Sequence, residues 1–78
     1  MLKRTDMMPW VVQGLADNGG KTHFIEVAKH IWANHRPEIE ASGDFLYKWQ
    51  YEMRWAADQL AQDKILLRHG HTGIWELN

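Results

Sequence analysis

The 78-residue sequence predicts an α+β domain of three helices followed by a C-terminal β-hairpin. Three observations carry this. The stretch from Phe45 to Gln62 holds a long helical period, the two runs flanking Gly70-His71-Thr72-Gly73 have the composition of paired strands, and Asn18-Gly19-Gly20 separates two earlier amphipathic segments.

Met1 to Asp6 is polar and is expected to fray, with Lys3 and Arg4 making a short basic start. A first helix follows, capped by Asp6, with Pro9 in its first turn and Met8, Val11, Val12 and Leu15 on one face. Gly14 weakens it, and Asn18-Gly19-Gly20 ends it, because these residues enter left-handed backbone geometry at least cost. Lys21-Thr22 predicts a brief strand. Thr22 would then cap a second helix that buries Phe24, Val27, Ala28, Ile31 and Trp32 and stops near Asn34. From His35 to Gly43 the pattern becomes irregular, with Pro37 restricting Arg36 and Ser42-Gly43 acting as a break. This reads as a connector anchored to the core by Ile39.

The long helix is expected over Phe45 to Gln62 with Asp44 as its cap. Leu46, Trp49, Met53, Ala56, Ala57 and Leu60 form its core stripe, while Tyr47, Tyr51 and Trp55 recur at i, i+4 and i+8 on the opposite side. A helix apolar on two sides needs two covers, and the second is either the hairpin or a partner. After a turn at Gln62-Asp63-Lys64, Ile65 to Arg68 and Gly73 to Leu77 pair as antiparallel strands, with Trp75 and Leu77 on one face and Ile74 and Glu76 on the other.

A chain of this size forms one domain with a core that is barely sufficient, so its five Trp, two Phe and two Tyr matter for buried area. The absence of Cys excludes disulfides and thiolate metal sites. No signal peptide or membrane span is evident, which points to a soluble, cytoplasmic protein. The formal net charge of −1 argues against a general polyanion binder, so any nucleic-acid surface must be local.

Helix, short strand, helix, connector, helix and hairpin is the element order of a winged helix-turn-helix domain. Trp49, Arg54-Trp55-Ala56, Leu60, Ile65-Leu66-Leu67 and Gly73-Ile74-Trp75-Glu76-Leu77 together resemble the end of the winged-helix domain at the N-terminus of Mrr-type restriction proteins. The resemblance covers roughly Trp49 to Leu77; upstream, only the element order and the Gly-rich break agree. It implies a targeting module that delivers an attached nuclease domain to double-stranded DNA. No such domain is contained in these residues, since Asp58, Asp63 and Lys64 at a helix end do not build the carboxylate and Lys cluster of a metal-dependent nuclease. The chain is expected either to be a piece of a larger protein or to act alone.

If the second helix of the helix-turn-helix enters the major groove and the wing lies over backbone, Tyr47, Lys48, Tyr51 and Arg54 face the duplex, and Arg68, His69, His71 and Thr72 reach phosphates. Lys21 and Thr22, ahead of the second helix, would add a phosphate contact. Simpler readings stand beside these. Arg54 is either a base reader or a structural residue paired to Glu26 or Asp58, and the Tyr47, Tyr51 and Trp55 stripe is either internal packing or an interface. His69 and His71 lack a third ligand, so no metal is expected; His30 and His35 are wrongly spaced for one helical face, and His23 reads as a surface residue. Gly70 and Gly73 follow from turn geometry. No phosphate loop, nucleophile elbow or Cys nucleophile is present, so neither catalysis nor a cofactor is expected. Two functions remain: a DNA-binding module with a basic face made by Lys48, Arg54, Arg68 and the wing histidines, or a winged helix used for protein interaction or homodimerisation through the aromatic stripe. The cover of Trp55 separates them.

Overall fold

Residues 2–78 are described by the computed structural model. Helices α1 (Met7–Asp17), α2 (Phe24–Glu40) and α3 (Trp49–Gln62) pack around one core, and strands β1 (Lys21–His23), β2 (Leu66–Arg68) and β3 (Ile74–Leu77) form an antiparallel sheet in the order β1-β3-β2. This is an α+β winged helix-turn-helix fold. Its central strand is the last in the chain: Thr22 and Arg68 both stand opposite Trp75, one on each side. Trp75 and Leu66 thereby join the helices' apolar faces, and the core is built on Met7, Val11 and Leu15 of α1, Val27, Ile31 and Ile39 of α2, and Trp49, Met53 and Leu60 of α3. Gly14 is explained by packing, since a Cβ there would lie 3.2 Å from Val27 Cγ1 where α1 and α2 cross.

Several boundaries differ from expectation. Of the segment expected to fray, Met1 lies outside the described residues, while Arg4–Asp6 forms a 3₁₀ turn. Asp6 accepts a hydrogen bond from the Lys3 backbone N–H at 2.9 Å and does not cap α1 with its side chain. The cap of α2 is His23 and not Thr22: the His23 Nδ1 accepts from the Ile25 N–H at 3.1 Å, while Thr22 is committed to the sheet. Helix α2 also continues past Asn34 and through Pro37 to Glu40. A proline in a helix interior costs about 3 kcal/mol. Packing offsets that here: Ile39 is fully buried, Arg36 Nε donates to Glu40 Oε1 at 2.6 Å, and His35 stacks on Trp10 with ring centroids 3.8 Å apart.

The third helix starts later than Phe45. Gly43–Tyr47 is a 3₁₀ turn, and Lys48, at φ −133°, redirects the chain before α3 begins at Trp49. Asp44 therefore caps no α-helix, and Tyr47 does not share a helical face with Tyr51. The turn exists because Phe45 is drawn into the core, at 7% exposure, one turn before Trp49 enters it. Among the described residues no helix is long and apolar enough to cross a membrane.

Candidate nucleic-acid interface

The open side of α3 follows from its core side. With Trp49, Met53, Ala56, Ala57 and Leu60 turned inward, Gln50, Tyr51 and Arg54 are left exposed, and Tyr47 and Lys48 project just ahead of them. Tyr47 is 85% exposed and Tyr51 69%. Arg54 lies over the Phe24 ring at 5.0 Å, and Phe24 in turn packs against Trp75 at 5.6 Å between centroids. Arg54 thus pairs with neither Glu26, which is near Lys29 at 3.3 Å, nor Asp58. It stands at a cleft of about 480 Å³ between α3 and the wing, shared with Phe24, Arg68, Gly70, Gly73 and Trp75.

The wing is less free than the sequence implies. Arg68 Nη2 donates to Asp58 Oδ1 at 2.7 Å, and the His69 ring meets Glu76 Oε1 at 2.9 Å. Thr72 is occupied within the turn, its hydroxyl donating to the His69 carbonyl at 2.7 Å and accepting from the Ile74 N–H at 3.1 Å. His71 is exposed at the tip. Lys21 is exposed at the start of β1, opposite Glu76 and two residues before the His23 cap, and Thr22 is half-buried opposite Trp75. Of the residues expected on one basic face, Arg68 and His69 are ion-paired, while Lys48, Arg54 and His71 carry no ion pair among the described residues.

The aromatic stripe is broken for a second reason besides the late start of α3. Trp55 is half-buried, and the cover it has within the chain comes from the N-terminal turn and not from the hairpin: the Arg4 guanidinium lies 4.4 Å from the ring centroid. The same guanidinium donates from Nε to Glu52 Oε2 at 2.6 Å and from Nη2 to Glu52 Oε1 at 3.2 Å. Glu52 is 5% exposed, the one charged residue in the buried set among the described residues. Hydrogen bonding from Arg4 holds its carboxyl below the usual carboxylate range, against the opposing effect of burial, with Lys48 a smaller contribution in the same direction as Arg4. The reciprocal bond raises the Arg4 guanidinium.

Sequence reasoning missed Gln50. The signal was available, since Gln50 precedes Arg54 by four residues and both lie off the core stripe. It missed the Arg4 clamp because no local pattern links residues so far apart. Among the described residues no group of three or more His, Asp or Glu is placed to hold a metal ion. Comparisons with protein-family profiles, with curated proteins and with solved structures find no match for this chain.

Proposed function

We propose that this is a non-catalytic, cytoplasmic winged helix that binds double-stranded DNA, serving as the targeting module of a restriction-like or regulatory protein whose nuclease or other effector domain is fused or recruited. The observation that carries the reading is Arg54: an exposed guanidinium without a carboxylate partner, steadied by Phe24 on the open side of α3 and facing the cleft toward the wing. In a helix-turn-helix that side enters the major groove, and the wing lies against the phosphates. Lys48 adds a second unpaired cation, and Arg68 a third if a phosphate replaces Asp58 as its partner.

The test is fluorescence anisotropy of a labelled mixed-sequence duplex across about 20 to 200 mM salt, where each neutralised phosphate contributes about −0.9 to the log–log slope. Two to three phosphates give a slope of about −2 to −3. Absence of binding at the lowest salt refutes the reading. It would favour the second one, a protein-interaction or homodimerising winged helix, supported by the exposure of Tyr47 and Tyr51 and reduced to those two tyrosines by the cover on Trp55.

A further inference from the structure

We infer that Gln50 and Arg54 are the base-reading pair of α3, taking an adenine and a guanine about two base-pair steps apart on duplex DNA; the inference rests on the DNA-binding reading and deepens it. The other charged and amide side chains of α3 are engaged or withdrawn, and exposed Tyr51 offers a single hydroxyl without the two-point pattern that identifies a base. Glu52 is held by Arg4, Asp58 accepts from both Arg68 and Gln62, and Gln59 is half-buried. Gln50 and Arg54 are exposed, one helical turn apart on one face, and neither hydrogen-bonds nor ion-pairs with any described residue.

Each borders aromatic side chains. Gln50 stands at the rim of an apolar groove of about 420 Å³ floored by Trp32 and Trp49, which stack with centroids 5.7 Å apart. Arg54 lies on Phe24, itself stacked on His23 at 4.5 Å and tilted against Trp75. Their chemistry differs usefully. A carboxamide offers both acceptor and donors and matches adenine N7 and N6, whereas a guanidinium offers only donors and matches guanine N7 and O6. Four residues of helix span about 6 Å. Against a rise of about 3.4 Å per base pair, that places the two readouts about two steps apart. Asp58, one turn further on, has both carboxylate oxygens engaged and does not extend the reading to a cytosine amine.

The test is selection of binding sites from a randomised duplex library with the intact chain, followed by anisotropy on the selected duplex and on versions with single bases replaced. The wild-type chain should select an adenine and a guanine about two positions apart, each replacement weakening binding about 5- to 150-fold. Gln50→Ala should erase discrimination at the adenine alone. Arg54→Lys should erase it at the guanine while keeping affinity for unrelated duplex, because the charge remains and the planar fork is lost. Lys48→Ala should lower affinity for all duplexes alike. A selected preference unchanged in Gln50→Ala and Arg54→Lys, or no preference in a chain that binds duplex with the expected salt slope, would overturn the pair and leave DNA binding standing. No binding to any duplex at about 20 mM salt would remove both.

Discussion

Gly73 joins the wing to the helix-turn-helix, and replacing it by alanine should be unusually damaging for so small a change. Its φ is +76°, a left-handed conformation that costs an L-residue about 1–2 kcal/mol. The neighbouring Gly70, at φ +59°, carries the same backbone term, but a Cβ there would meet nothing within 4 Å. At Gly73 the Cβ would lie 2.5 Å from His23 Nε2, 2.9 Å from His23 Cδ2 and 3.1 Å from Phe24 Cε2. The His23 ring cannot swing aside without consequence, because its Nδ1 caps α2 and its face stacks on Phe24. Losing a cap costs about 0.5–2 kcal/mol. Gly73→Ala should therefore destabilise by about 2–4 kcal/mol against about 1–2 for Gly70→Ala. For a domain of this length, whose total stability is about 4–12 kcal/mol, the larger loss is severe.

The assay is urea unfolding followed by tryptophan fluorescence. With an m-value of about 1 kcal/mol/M, the midpoint should fall by about 2–4 M for Gly73→Ala and about 1–2 M for Gly70→Ala. In a His23→Ala background the added cost of Gly73→Ala should shrink toward the backbone term, since the two shortest approaches and the cap are already gone and only the 3.1 Å approach to Phe24 Cε2 remains. Equal losses at the two glycines, or full additivity with His23→Ala, would refute the argument.

Further outcomes are expected. Trp75→Ala, truncating a buried aromatic at the centre of the sheet, should cost about 3–5 kcal/mol in the same assay; a loss under about 1 kcal/mol would mean that β3 does not pack as described. Glu52 has its carboxyl lowered by Arg4, so its stabilising contribution is present above the ordinary carboxylate value of about 4.3 and disappears as pH falls through the folded-state value. The urea midpoint should accordingly fall less steeply with acidification in Glu52→Gln than in the wild type, and parallel curves would contradict this. Asp58→Asn should tighten duplex binding several-fold by freeing Arg68 and removing a negative charge near phosphate, measured by anisotropy at fixed salt. Lys48→Glu with Arg68→Glu should abolish DNA association while circular dichroism stays native, because both residues are exposed.

The element order, the core stripe of α3 and the hairpin were legible because each is written in local periodicity and turn residues. The misplaced boundaries have one cause in common, tertiary packing that overrides a local signal. Pro37 is a helix breaker by local rules, but Ile39 beyond it is fully buried and the His35 stack on Trp10 fixes the turn before it. Phe45 to Tyr47 carry a helical pattern, but burial of Phe45 is reached through a 3₁₀ turn, which takes Tyr47 out of the column it seemed to share with Tyr51. Thr22 is the better cap by type, but the sheet claims it and a histidine caps instead. At the candidate site the exposed residues of α3 were readable as the complement of the core stripe. The pairing of Arg68 with Asp58 and of Arg4 with Glu52 was not, since opposite charges at separations of 10 and 48 residues leave no trace in sequence spacing.

The position of β3 also dictates when this domain can exist during synthesis. Chains emerge N-terminus first, and β1 waits with its hydrogen-bonding edge unmatched until Ile74 to Leu77 appear, because its strand partner in the sheet is the last of the three strands to be made. The β2 edge waits for the same residues. A ribosome carrying all three helices would therefore still hold a sheetless chain, with Leu66 deprived of its strand partner and the space filled by Trp75 empty. Folding of the domain is thus gated by the synthesis of β3, and a chain released before Ile74 would offer two unpaired strands and an open core to the quality-control machinery.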